Sequence, residues 1–487
     1  MPLDLITLVT MKMELIRMRL IVDQVGRINH ASVALDGITV LVGANNTGKS
    51  SLGKSLFALI DSFRDFPAEK HRQMHRSIRN RLRLFLTADV SYRDNLYRLS
   101  SRVADDLTDV LFTIYHDNND NLSLEQISEV FSRYRIDTNQ PRFSREKWSE
   151  EDLSNLTRKI HDIQQTAEIR ERIARLLALK DDDFASEFIS STFRGMFDGQ
   201  VTNLITGAEN AHVKLLNHDR SIAEAIIPRN GQAKAVVRLD RQLRAIILDD
   251  PRIADDVFGH GAMGSGIRGR NVFGSYEYER LSWQHLADEH MKDPFPEEQE
   301  ADSDSTVADM ILTQQDVNVA LQRLNQAYPG KIIRGEMNST VLSDDAPVKE
   351  PVHLANASMG SKAMMLIRYL FEEGKLHEGD FLILDEPEIH LHPHWQISYA
   401  RFIVTVAQRL GVRILIATHS PYFLQALVDY SRLHEFTKQT VVYSSVMQQD
   451  ETISFKQEDE SGIARIFTDM AAPFIQIEQD IANSLVG

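Results

Sequence analysis

Three stretches carry residue types at spacings that suit chemistry on nucleotide phosphates. The first, Gly43-Ala44-Asn45-Asn46-Thr47-Gly48-Lys49-Ser50, fits the pattern G-x-x-x-x-G-K-[ST]. Its glycines let the backbone wrap until successive N–H groups point at phosphate oxygens, and a helix N-terminus behind the loop adds a favourable dipole. Lys49 then reaches the β- and γ-phosphates, and the Ser50 hydroxyl is placed to ligate Mg2+. The expected nucleotide contacts are Gly43, Asn45, Asn46, Thr47, Gly48, Lys49, Ser50 and Ser51. In the second stretch, FLILDEPEIHLHP, four apolar residues from Phe381 to Leu384 run directly into Asp385 and Glu386. A buried strand ending in two carboxylates suits a metal shell opposite Ser50, held by Asp385, and a water polarised by Glu386. The third, RILIATHSP, sets His419 at a strand end, where it can hydrogen-bond the γ-phosphate or the attacking water. A weaker signal is Asn356-Ala357-Ser358-Met359-Gly360-Ser361-Lys362, a small-residue loop opening a helix and offering N–H groups and the Ser358 hydroxyl to an anion.

These residues act together only if strands and helices deliver them to one edge of a sheet. The runs ELIRMRLIV, GRINHASVALDG and ITVLVG predict a strand, a hairpin, and a buried strand aimed at the phosphate loop. A helix should follow over 50–63, with Leu52, Leu56, Leu59 and Ile60 on one face. Near the other end, helices over about 360–373 and 394–410 alternate with the strands FLILD and RILIAT, which means a parallel α/β sheet. Between them the chain divides by composition. Residues 1–64 open the nucleotide-binding part, and 65–215 are mostly helical, with an N-cap at Ser149. Residues 216–290 return to β-like runs (AEAIIP, AVVRL, RAIILDDP) broken by the turn RNGQ. Residues 291–307 form an acidic, proline-bearing surface loop, and 308–487 complete the sheet after a helix over 316–327. No repeat at a solenoid period is present.

Taken together, the motifs resemble the ABC-type ATPase heads of the SMC/RecF group, and within it the prokaryotic ATPases related to the overcoming-lysogenization-defect (OLD) family. The resemblance covers about residues 14–63 and 350–430, and its most specific part is DEPEIHLHP followed by ATHSPYFLQAL. It implies an α/β P-loop head, with a mostly parallel sheet plus an antiparallel portion, interrupted by a large helical insertion. It also implies that Asp385 and Glu386 are the Walker B pair, that His419 is the switch histidine, and that Ser358 and Gly360 stand in the signature loop, here SMGSK. No Q-loop glutamine is assigned. ATP and Mg2+ are the implied cofactors, Ser50 and Asp385 the metal ligands, and Glu386 and His419 the catalytic pair. Two heads would sandwich two ATP molecules, each phosphate loop facing the other copy's signature loop, so a homodimer at least is implied. Similarity to ATPase subunits of the Septu and PARIS defence systems implies an anti-phage sensor or scaffold with a separately encoded nuclease. A DNA-repair or DNA-tethering ATPase of RecF/SMC type is the alternative, which long heptads would favour, and none are present.

Composition narrows the field further. The 487 residues are 43% hydrophobic and 25% charged, the balance of a folded chain and far from that of a disordered one. A net charge of −16 confines any nucleic-acid contact to a local basic groove, for which Lys70, Arg72, Arg76, Arg79, Arg81 and Arg83 on one helix are the candidates against a plain solvated face. The absence of cysteine excludes disulfides, a thiol nucleophile and thiolate metal sites, and agrees with a cytoplasmic setting. No apolar run suits a membrane span, so no membrane partner is expected. His390, His392 and His394 crowd together, but their spacing favours a structural or interface role over a metal site. Asp249, Asp250, Asp255 and Asp256 resemble a nuclease carboxylate cluster, yet a turn at Pro251 explains them as well. With no D-x-D pair after His419, intrinsic nuclease activity is not expected.

Overall fold

The computed structural model describes residues 18–252 (apart from 64–65, 89, 92–94, 119, 141–142, 144–147 and 238–242), 254, scattered positions in 315–342, 352–353, 356–372, 375–470 and 477. The acidic stretch 291–307, most of the helix expected over 316–327, and Asp255 and Asp256 lie outside the described residues. The chain forms two compact units, Met1–Arg64 with Ser186–Gly487, and Asp65–Ala185.

The first unit is built on an eleven-stranded mixed sheet. Its N-terminal strands are β1 (Met18–Val25), β2 (Ile28–Ala34) and β3 (Ile38–Val42). Next come β4 (Asn210–Asn217), β5 (Arg220–Pro228), β6 (Lys234–Val237) and β7 (Ala245–Leu248). A separate small antiparallel sheet holds β8 (Lys331–Arg334), β9 (Ser339–Leu342) and β10 (Val352–His353). The remaining strands are β11 (Phe381–Asp385), β12 (Arg413–Thr418), β13 (Thr440–Met447) and β14 (Ile453–Glu458). Strand order in the large sheet is β6-β5-β4-β1-β2-β14-β13-β3-β12-β11-β7. From β13 to β7 every pairing is parallel, with β12 beside β3 in the register Thr418↔Val42 and β11 beside β12 in the register Asp385↔Ala417. Those registers bring the C-terminal ends of β3, β12 and β11 to one edge, the place where parallel α/β sheets bind ligands. From β1 to β6 the pairings are antiparallel.

The centre of the parallel part is apolar on both faces. Every residue of β3 is buried, as are Phe381 to Leu384 and Ile414 to Thr418, as expected when helices cover both sides. Helix α1 (Lys49–Asp61) packs on β7, β11 and β12, and its Leu52, Leu56, Leu59 and Ile60 are buried. The sheet is thus mixed, and its antiparallel share takes in residues expected to belong to the helical insertion. Residues 186–215 belong to the sheet-bearing unit. Strand β4 buries Ala211, Val213 and Leu215 in alternation and pairs with β1 over Met18↔Asn217 to Asp23↔His212, a short period-2 signal at the end of a long helical run.

The second unit is helical: α2 (Phe66–Leu86), α3 (Asn95–Asp117), α4 (Leu124–Arg133), α5 (Glu150–Gln165), α6 (Ala167–Leu177) and the start of α7 (Asp181–Met196). Met74, Ile78, Leu82 and Leu86 of α2 recur every fourth residue and close a core with Leu99, Val103, Leu107 and Leu111 of α3. Ser149 caps α5 as its position before Glu150 predicts, accepting from the Asp152 N–H at 3.0 Å. Among the described residues no helix is long and apolar enough to cross a membrane.

Candidate active site

The phosphate loop joins β3 to α1. Gly48 has φ +78° as the residue capping α1, and a Cβ there would meet Ile28 Cγ1 at 2.9 Å, so only glycine lets the loop turn this tightly against β2. Asn46 also takes a positive φ, 63°, and its carbonyl accepts from Arg27 at 3.2 Å, which ties the tip of the loop to the β1–β2 turn. Thr47 is buried and donates to the Ala44 carbonyl at 2.8 Å. Asn45, Asn46, Ser50 and Ala44 face solvent. Lys49 is buried, and its ammonium donates to the carbonyls of Gly43 at 2.9 Å and Ala44 at 2.8 Å. Burial lowers its pKa from the usual lysine value, opposed by the nearby carboxylates Glu386, Asp385 and Glu388.

The sheet brings the two expected metal ligands together. The Ser50 hydroxyl is hydrogen-bonded to the Asp385 carboxylate, although 335 positions separate them in sequence. Burial raises the Asp385 pKa, the Ser50 bond opposes that, and the neighbouring Glu386 adds to it. Asp385 Oδ1 is buried with no hydrogen-bond partner. A carboxylate oxygen in that condition is costly unless a cation completes it, so Ser50 and Asp385 fit Mg2+.

Beside them stands Asp249, at the C-terminal end of β7, the neighbour of β11. Burial first, and the Asp385 charge second, push its carboxyl up to about 7, while Lys54 of α1 opposes them. Its Oδ1 is likewise buried without a partner. Asp249 is thus close enough to Asp385 and Lys54 for their charges to act on it. Asp250 pairs instead with Arg252 at 2.5 Å.

Glu386 follows β11 with φ 49°, and its N–H donates to the Ala417 carbonyl at 2.8 Å. That conformation is strained for a glutamate, and it sets Glu386 Oε1 3.2 Å from His419 Nδ1. The two residues expected to act as the catalytic pair thus lie within ion-pair distance of each other. The residue that the sequence reading passed over is Glu388. It is 3% exposed, and its Oε1 accepts from the Thr418 hydroxyl and from the His419 and Ser420 N–H groups, each of the latter at 3.2 Å. Burial raises its pKa and those bonds oppose the rise. The only sequence signal was its place two residues after Glu386, since a surface glutamate in a turn looks the same.

Ser358 Oγ accepts from the Ser361 N–H at 3.2 Å and lies 2.9 Å from Ser361 Oγ, capping α8 (Met359–Glu372). Gly360 is buried, and a Cβ there would meet the His390 carbonyl at 2.6 Å, so the loop lies against the turn after Glu386. His392 caps α9 (Pro393–Leu410), accepting from the His394 N–H at 3.3 Å. Among the described residues no three His, Cys, Asp or Glu side chains are grouped to hold a metal. In the basic run of α2, Lys70 pairs with Asp181 at 2.7 Å and Arg79 with Asp105 at 3.2 Å, which spends part of its charge inside the helical unit.

Residues 38–425 match the family described as "AAA domain, putative AbiEii toxin, Type IV TA system", and the chain belongs to that family, an AAA-type ATPase domain. Among solved structures it is similar to the SMC head domain from Thermotoga maritima (10% identity, TM-score 0.36, covering 91% of this chain and 99% of that one). It is similar also to the Smc head domain with an extended coiled coil bound to the C-terminal domain of ScpA, derived from Pyrococcus furiosus (10% identity, TM-score 0.38, covering 94% and 99%). No curated protein matches the sequence.

Proposed function

We propose that this chain binds and hydrolyses ATP at the edge formed by β3, β12 and β11. The observation that carries this reading is the meeting of Ser50 with Asp385 and of Glu386 with His419 beside Lys49. The N–H groups at the start of α1 and the Lys49 ammonium bind and orient the triphosphate. Ser50 and Asp385 are the groups that would hold Mg2+, which supplies charge neutralisation at the β- and γ-phosphates when bound. Glu386 takes the proton of the attacking water, and His419, 3.2 Å from its carboxylate, orients that carboxylate and reaches the γ-phosphate side. The test is ATP turnover by wild type against Glu386→Gln. Equal rates would remove Glu386 from the role of base.

Head-to-head assembly with a second copy fits the exposed Ser358, which would reach the γ-phosphate bound by the other copy. The biological role that fits is the sensor or scaffold of an anti-phage defence system with a separately encoded nuclease. Two things support it: the family's description as a toxin of a toxin–antitoxin system, and the likeness of DEPEIHLHP to OLD-related ATPases. Mass measurement of Glu386→Gln with and without ATP, after purification with the products of neighbouring genes, tests both points. A stable complex with a nuclease supports the role. A lone dimer that gains DNA affinity with ATP replaces it with DNA tethering.

A further inference from the structure

Glu388 sits between the two turns that carry the proposed catalytic pair. It belongs to the turn after β11, as Glu386 does, yet its side chain reaches across to the end of β12. There one carboxylate oxygen gathers three donors from three consecutive residues, Thr418 Oγ1, His419 N and Ser420 N. Ser420 caps α10 (Pro421–Leu433), so the carboxylate also lies at a helix N-terminus. Gln396 of α9 adds a second brace. Its amide donates to the carbonyls of Leu391 at 3.0 Å and Glu388 at 3.4 Å, and its oxygen accepts from Ser420 Oγ at 2.9 Å. The carboxylate of Glu388 joins the two turns directly, with all three hydrogen bonds gathered on one oxygen. Cutting it would take the acceptor from the part-buried His419 N–H and from the buried Thr418 hydroxyl, and would leave the Ser420 N–H with only its 3.0 Å bond to Thr418 Oγ1.

We propose that Glu388 is a positioning residue, whose carboxylate clamps the Thr418–Ser420 turn to the turn of Glu386 and so holds His419 in contact with that carboxylate. Glu388 need not touch the nucleotide, and it acts through His419 and Glu386. This role in turnover rests on the ATPase reading above, whereas the clamp itself does not. A side chain with a carbonyl at the same reach can accept all three bonds, so glutamine should serve where alanine cannot.

The experiment compares full-length wild type, Glu388→Ala and Glu388→Gln by affinity for a fluorescent ATP analogue, steady-state ATP turnover, and amide hydrogen exchange of the 413–424 segment without nucleotide. Glu388→Ala should exchange the His419 and Ser420 amides at least about tenfold faster, through easier local opening. Its kcat should fall about 30-fold or more while KM and analogue affinity move less than about threefold, because an orienting contact is lost and not a binding one. Glu388→Gln should keep kcat within about threefold of wild type, since its carbonyl still accepts. Unchanged exchange or a kcat near wild type in Glu388→Ala would overturn the proposal, as would a Glu388→Gln as slow as Glu388→Ala. Should Glu388→Ala not fold, Thr418→Val removes one of the three donors, and a kcat indistinguishable from wild type there overturns the proposal equally. A wild type that binds no ATP removes the ATPase reading, while the exchange comparison still decides the clamp.

Discussion

In the helical unit, Asp181, Asp105, Asp109 and Asp120 all stand at the surface beside a cation or an imidazole: Lys70 at 2.7 Å, Arg79 at 3.2 Å, His75 at 2.9 Å and His116 at 2.7 Å. In the sheet-bearing unit, Asp249, Asp385 and Glu388 each keep a buried carboxylate oxygen with no hydrogen-bond partner. The first set is stable as it stands and contributes little, because exposed pairs are screened by water. The second set is costly to bury. Fold stability alone gives no reason to keep such oxygens beside a phosphate loop, whereas a cation and a reacting water do. The same residue type thus marks a solvated surface in one unit and a site in the other, and burial separates the two cases.

The sharpest way to break this division is Lys49→Ala, which should abolish ATP binding as measured by calorimetry while the helical unit stays folded. Retained binding would mean that the phosphate loop is not the nucleotide site. Next in size, Glu386→Gln should keep ATP affinity and lower turnover by about 10²- to 10⁴-fold, the usual range for a general base, with phosphate release as the measurement.

A smaller effect concerns Asp249. Its folded carboxyl titrates at about 7 against a reference of 3.8. Between those values the folded state holds more protons than the unfolded one, so in metal-free protein this group lowers stability as pH rises through that window. Asp249→Asn should therefore raise the melting temperature at pH 8 in EDTA by on the order of 3 °C, with the gain shrinking toward pH 4. A gain that is constant with pH would remove the titration of Asp249 as its cause. The smallest change is expected from Asp109→Asn, which removes the charge from the 2.9 Å pair with His75 while keeping an acceptor oxygen. An exposed pair of this kind is worth less than about 1 kcal/mol, so thermal unfolding should barely move and ATP turnover should not change. A loss of turnover comparable to that of Glu386→Gln would show that the helical unit takes part in the chemistry.

Much of this contrast is visible before folding. The loop from Gly43 to Ser50 and the run FLILDEP are local patterns, in which spacing sets which atoms point outward. The strands β3, β11 and β12 and the helices α1, α8 and α9 follow from apolar runs and helical spacing, and Ser149 announces the start of α5. Asp249 was visible as an acidic residue at a strand end but not as a neighbour of Asp385. That follows from β7 pairing with β11 across more than 130 residues, and pairing register is written in no short window. The insertion boundary at 215 failed for a similar reason, since β4 gains its meaning only from β1.

Residue chemistry and local periodicity determined that a phosphate loop, an acidic strand end and a strand-end histidine exist, because each depends on neighbours a few positions away. Only the tertiary structure decided that β13 lies between β3 and β14, that Asp249 stands beside Asp385, and that Glu388 reaches Thr418, His419 and Ser420. Burial and partner choice arise when strands distant in sequence pair and exclude water, and they turn an ordinary turn glutamate into a clamp.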